Sequence, residues 1–227
     1  MRPPEPRTPA SGIPTQPCRE VACDLRSGKL AFGRIFHFTD LGSIGRIWVM
    51  LPQRRNPNLW RRRVSLPGAR YFITCCTRER RAGLTRPSVA KALQEHLSSI
   101  EVSDAEVFCV TVMPDHVHVL FRLGVRLKLG QLVGRLKVQT RDALRPWNLG
   151  WQDDYFEHRL GPDEESEPYA RYLFLNPYRA GLIPQNEDWP WWWTGNFVSF
   201  GFLKAVEEDR ACIRIWMKEP QPWSTSA

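Results

Sequence analysis

Residues 113–120 read Met113-Pro114-Asp115-His116-Val117-His118-Val119-Leu120, two histidines one residue apart at the head of an apolar, β-branched run. β-Branched residues favour pleated backbone, and side chains two apart on a strand point to the same face. Both imidazoles therefore share a face, with Val117 and Val119 on the other. Two converging imidazoles suit one divalent metal, provided that further ligands and a reactive group arrive from elsewhere in the chain. Pro114 and Asp115 are turn formers, so the preceding run, residues 105–113, is predicted to pair with residues 116–123 as a hairpin.

Upstream, Tyr71-Phe72-Ile73-Thr74-Cys75-Cys76-Thr77 follows the Pro67-Gly68 turn signal and reads as another strand. Residues 86–100 read as a helix, with Pro87 suited to its first turn and Val89, Leu93, Leu97 and Ile100 forming one apolar stripe. A second helix is predicted over residues 127–144. Leu129, Leu132, Val133, Leu136, Ala143 and Leu144 lie on or near one side of it, and Arg135, Lys137 and Arg141 lie on the other. Residues 147–157 read as loop and a short strand. Residues 163–176 read as a third helix that opens on acidic residues, and Pro177 disfavours helical angles at Asn176, so this helix is predicted to end there. The order strand, helix, hairpin, helix, helix predicts an α+β fold, an antiparallel sheet with helices packed on it.

The chain has 227 residues, 42% of them hydrophobic, and a net charge of +8, enough for one domain with a sizeable core. The charge is unevenly spread. Residues 1–69 hold 12 of the 32 basic and only 4 of the 24 acidic side chains, and the remainder balances. The excess therefore describes an N-terminal arm, in which Arg54, Arg55, Arg61, Arg62 and Arg63 surround Trp60. Such an arm suits phosphates electrostatically, or it is a solvated tail. Residues 1–64, rich in proline and arginine and without a sustained period, are expected to be mostly unstructured, and Met50 is an alternative start. Residues 65–195 are expected to form the catalytic domain and 196–227 a C-terminal tail. No apolar run approaches the roughly 18 residues of a membrane span, and the N-terminus lacks the apolar core of a secretory signal. Cytoplasmic residence without a membrane partner is the expectation. The six cysteines include no Cys-x-x-Cys pair and are expected to be free thiols.

A tyrosine phenol, with an ordinary pKa of about 10, attacks phosphorus only when the phosphate is polarised and held in line. Tyr172 and Asn176 are four apart on the third helix and share a face. A metal bound by His116, His118 and the Asn176 amide oxygen meets that need, its hard oxygen donor and open positions suiting Mg²⁺ or Mn²⁺. Spacing alone leaves Tyr155, Tyr169, Tyr172 and Tyr178 all open as the nucleophile. Single-strand binders combine a basic track with aromatic platforms. Arg78, Arg80 and Arg81 after the first strand, and Arg135, Lys137 and Arg141 on the second helix, are candidate DNA contacts. Glu157 and His158 are candidates for positioning DNA or moving a proton. Trp189, Trp191, Trp192 and Trp193 either stack on bases or pack on the sheet, and Asp115 reads as a turn residue.

Taken in order, Met113 to His118, Trp151-Gln152, Glu157-His158, Tyr172-Leu173-Phe174-Leu175-Asn176-Pro177 and Trp189-Pro190 make the chain resemble a REP-associated tyrosine transposase. That group is a bacterial branch of the single-tyrosine HUH transposases, and the resemblance covers roughly residues 65–195. It implies a ferredoxin-like HUH endonuclease core. It also implies His116 and His118 as metal ligands with Asn176 as the polar third, Mg²⁺ or Mn²⁺ as the ion, and Tyr172 as the nucleophile. The implied activity is cleavage and rejoining of single-stranded, hairpin-forming DNA through a 5′-phosphotyrosine and a free 3′-hydroxyl. A monomer is implied, although related transposases include dimers. The first 65 or so residues have no counterpart in the pattern. Two other readings use the same residues: a domesticated DNA-hairpin-binding protein without productive cleavage, and a metal-dependent hydrolase with water as nucleophile.

Overall fold

The computed structural model describes residues 65–196 and 198–222; the basic arm and the alternative start at Met50 lie outside the described residues. A five-stranded antiparallel sheet in the order β4-β1-β3-β2-β5 organises the rest. Strand β1 (Arg70–Cys76) is followed by helix α1 (Pro87–Ser98), and β2 (Ala105–Val112) and β3 (His116–Leu123) form the expected hairpin. Helices α2 (Leu129–Gln139) and α3 (Arg141–Leu144) precede β4 (Phe156–Arg159) and α4 (Ser166–Arg179). The chain then forms β5 (Trp192–Thr194), α5 (Gly201–Glu208) and α6 (Ala211–Trp216). Up to β4 this is the strand and helix order of a ferredoxin-like fold, with β5 added at the β2 edge.

Strand parity decides which core each side chain enters. Tyr71, Ile73 and Cys75 of β1 and Val117, Val119 and Phe121 of β3 share a core with α1, α2 and α3. Phe72 and Leu120 share the opposite one with α4, α5 and α6. Strict alternation fails once. A bulge between Val107 and Cys109 switches the parity of β2, so that Val107, Val110 and Val112 join the first core while Phe108 and Cys109 join the second.

The helix expected over 127–144 is interrupted at Thr140. Its hydroxyl donates to Leu136 O at 2.7 Å and accepts the Trp151 Nε1–H at 3.0 Å, and back-bonding of this kind bends helices. Nor is the segment after residue 195 a loosely patterned tail, since Phe202, Val206 and Ile213 of α5 and α6 are buried in the second core.

The third correction concerns Pro177. Helix α4 continues through it to Arg179 instead of ending at Asn176. A proline inside a helix removes the N–H that would reach the carbonyl four residues back, here that of Leu173. Thr111 of β2 supplies the missing donor, its hydroxyl reaching Leu173 O at 2.8 Å. Replacing Thr111 with valine is expected to leave this buried carbonyl unpaired and to cost about 1–3 kcal/mol in urea denaturation. Adding Pro177→Ala returns an N–H and is expected to recover much of that loss, a non-additivity that a double-mutant cycle measures.

Candidate active site

In the sheet register His118 lies between Thr74 of β1 and Thr111 of β2, and His116 lies opposite Cys76. Parity sends both rings to the α4 side. His118 stacks on Phe72 with centroids 5.3 Å apart, and the two imidazoles meet edge to face with their Nε2 atoms 3.0 Å apart. Each Nδ1 is tied back to the protein: that of His116 lies 2.6 Å from Asp115 Oδ1, and that of His118 lies 2.8 Å from Thr74 Oγ1. Burial lowers the pKa of both rings, opposed at His116 by Asp115 and reinforced at His118 by His116 and Arg80. Both are thus neutral at pH 7, the form that offers a lone pair to a metal. Burial pushes the Asp115 carboxyl up, but its hydrogen bond and attraction to His116, with Arg80 beside it, hold it below the usual carboxylate range.

Two neutral imidazoles with their Nε2 atoms 3.0 Å apart offer nitrogen donors of the kind a divalent metal takes, so the pair fits a metal. Among the described residues no group of three or more His, Cys, Asp or Glu side chains forms a metal cluster. Among the same residues no helix is long and apolar enough to cross a membrane.

Helix α4 delivers the tyrosine. The Tyr172 ring lies 6.1 Å from that of His118 and edge-on to Phe72 at 6.2 Å. One turn on, Asn176 Nδ2 donates to Tyr172 O at 3.1 Å. Burial pushes the Tyr172 phenol up to about 12, while Arg179 and a hydrogen bond with the Asn176 side chain pull it down. The Arg179 guanidinium stands 5.3 Å from the ring centroid and donates to Trp216 O and Glu219 O at 3.0 and 3.2 Å. Arg179 escaped the sequence reading, although it lies two helical turns from Tyr172 and so on the same face.

The other three tyrosines are engaged elsewhere. Tyr155 packs against the first core with Lys137 over its ring. Tyr169 bonds Glu164 and His158, and Tyr178 donates to Glu187 O. His116, His118, Tyr172 and Asn176 lie on the α4 side of the sheet.

The candidate DNA contacts divide. Arg78 and Arg141 are exposed. Arg80 turns inward to Asp115, Arg81 donates to Asn148 O, and Arg135 pairs with the buried Asp104. Lys137 donates to the carbonyls of Gln152, Asp153 and Asp154 at 2.7, 3.0 and 3.1 Å. Glu157 pairs with Ile73 in the sheet, and His158 is held by Glu164 and Tyr169. Trp189 donates to Val112 O, Trp191 and Trp193 pack on the first core, and Trp192 packs on the second. The alternation of β5 thus divides its indoles between the two faces of the sheet.

The family model described as "Transposase IS200 like" matches residues 65–173, from the approach to β1 as far as the turn of α4 that carries Tyr172. The fold is α+β, and the match likens this segment of it to the transposases. Over that segment the chain is similar to the IS200-like transposases. A REP-associated tyrosine transposase of Escherichia coli (strain K12) is 24% identical over 130 residues, covering 57% of this chain and 78% of that protein. Among solved structures, the REP-associated tyrosine transposase bound to a REP hairpin is 23% identical, covering 62% of this chain and 93% of that one at a TM-score of 0.48. A bacterial tRNA(His) guanylyltransferase-like protein in complex with GTP is 11% identical, covering 72% and 97% at 0.39. Neither structural likeness carries functional weight.

The carbonyls gathered by Lys137 make it a structural cation. Lys137→Met is expected to lower stability by about 1.5–3 kcal/mol, whereas Arg141→Ala is expected to stay within about 0.5 kcal/mol; urea denaturation of the two variants compares them.

Proposed function

We propose that this protein is a single-strand DNA endonuclease and strand-transferase acting on hairpin-forming DNA, with Tyr172 as nucleophile and His116, His118 and Asn176 as ligands of Mg²⁺ or Mn²⁺. The observation that carries this reading is the position of Tyr172 against His118, beside two converging Nε2 atoms. Hairpin DNA as the substrate class is supported by the likeness to a REP-associated transposase. All four residues come from one chain, so a monomer suffices.

When bound, a divalent ion supplies positive charge that polarises the scissile phosphate. In the resting protein burial keeps the Tyr172 phenol protonated. During cleavage the phenol gives up its proton and an Oη–P bond forms as the P–O3′ bond breaks. The departing 3′ oxygen takes up a proton, leaving a 5′-phosphotyrosine and a free 3′-hydroxyl. Rejoining is the reverse exchange, with a 3′-hydroxyl attacking and the Tyr172 phenol regaining its proton. Asn176 and Arg179 flank the tyrosine, and the Arg179 cation offsets the negative charge that develops at Oη and the phosphate.

Incubation with Mn²⁺ and labelled single-stranded hairpin DNA from the flanks of its own gene, followed by a denaturing gel, tests the reading. A labelled protein band is expected, lost in Tyr172→Phe while circular dichroism is unchanged. A hairpin shift on a native gel without any covalent band would instead favour the domesticated binder. Cleavage that persists in Tyr172→Phe would favour water as nucleophile.

A further inference from the structure

The turn after β1 has an uncommon backbone. Glu79 and Arg80 are successive residues at φ 57° and 56°, in the left-handed region that side chains other than glycine seldom adopt. The turn carries Arg80 back over the end of β1. Its Nε lies 2.8 Å from Asp115 Oδ2 and its Nη1 lies 2.7 Å from Cys76 Sγ, while the other Asp115 oxygen lies 2.6 Å from His116 Nδ1. Asp115 thus bridges a fixed cation and the first histidine.

This geometry decides where the His116 proton sits. An unprotonated Nδ1 at 2.6 Å from a carboxylate oxygen would set lone pair against lone pair, so Nδ1 carries the proton and Nε2 presents its lone pair. Arg80 Nη2 lies 3.3 Å from the same nitrogen, a much longer contact than the 2.6 Å to the Asp115 carboxylate, and the shorter, charge-assisted one dominates. Two Nε2 atoms 3.0 Å apart then need one proton between them. With His116 protonated on Nδ1, that proton belongs to His118, and the Thr74 hydroxyl donates to His118 Nδ1.

We propose that Arg80 and Asp115 are a positioning pair that holds His116 in one tautomer with its Nε2 lone pair aimed at the ion site. The proposal rests on the reading of the histidine pair as metal ligands. It gives Asp115 a part beyond its turn, and it takes Arg80 out of the phosphate-binding set. Partners that orient ligating histidines are worth 10–100-fold in metal affinity.

The test uses the full chain with ¹⁵N-labelled histidine. In the metal-free protein, long-range ¹H–¹⁵N spectra are expected to show His116 protonated on Nδ1 and His118 on Nε2. The amide of Asp115→Asn has one acceptor oxygen; with that turned to Arg80, its NH₂ faces His116 and favours the opposite tautomer. Asp115→Asn is therefore expected to move the His116 proton to Nε2 and to weaken Mn²⁺ binding, measured by calorimetry, by about 10–100-fold. Arg80→Gln is expected to act in the same direction with a smaller effect, and Asp115→Glu to recover the Nδ1 tautomer. An Asp115→Asn protein with the wild-type tautomer and wild-type Mn²⁺ affinity would overturn the proposal. Should the wild-type protein take up no Mn²⁺, the metal reading falls, and the tautomer of His116 in Asp115→Asn still decides the positioning role.

Discussion

The pairing of β3 between β1 and β2 is the constraint on which the site depends. Backbone hydrogen bonds on both sides hold β3 in register, while Val117, Val119, Phe121 and Leu123 are locked into the first core. A slip of one residue would exchange the two faces of the strand. It would drive both imidazoles into an apolar layer and withdraw these apolar side chains from theirs. Each such side chain is worth about 1.5–3 kcal/mol when buried, so the register, and with it the convergence of the histidines, is strongly enforced.

One row across the sheet links the two halves of the proposed site. Thr74, His118 and Thr111 stand side by side on three neighbouring strands. The first hydroxyl serves the ring of the central histidine, and the second serves the carbonyl of Leu173, the residue after Tyr172. The helix that carries the tyrosine is therefore pinned to the row that carries the histidine. Pro177 is part of this device, because the donor it removes is what leaves that carbonyl available to the sheet.

The far side of α4 is held as well, by a segment beyond the residues that match the family model. Glu219 pairs with Arg171 at 2.7 Å, Trp216 lies under the same guanidinium, and the carbonyls of Trp216 and Glu219 hold Arg179. The end of the described chain thus braces α4 on either side of Tyr172 and sets a cation against the phenol ring. With the sheet on one side and this brace on the other, α4 is fixed along the stretch that carries Tyr172, the proposed nucleophile, which needs a defined position.

The strand of the histidine pair, the face it shares, the first helix and the common face of Tyr172 and Asn176 were legible in the sequence, because periods of two and 3.6 are local properties of the backbone. Which of the four tyrosines stands against His118 was not, since it depends on how α4 sits against the sheet. Nor was the passage of α4 through Pro177, whose missing hydrogen bond is answered by a residue 62 positions away. The bulge that switches the parity of β2 and the burial of Phe202, Val206 and Ile213 likewise depend on partners distant in sequence. Arg80 is the plainest case: the sequence shows a basic residue beside two others, and only the folded turn brings it to Asp115. By itself the sequence determined which residues share a face; tertiary structure decided which partners they meet, because a side chain's periodicity is set by its neighbours in the chain and its hydrogen bonds by whatever packs against it.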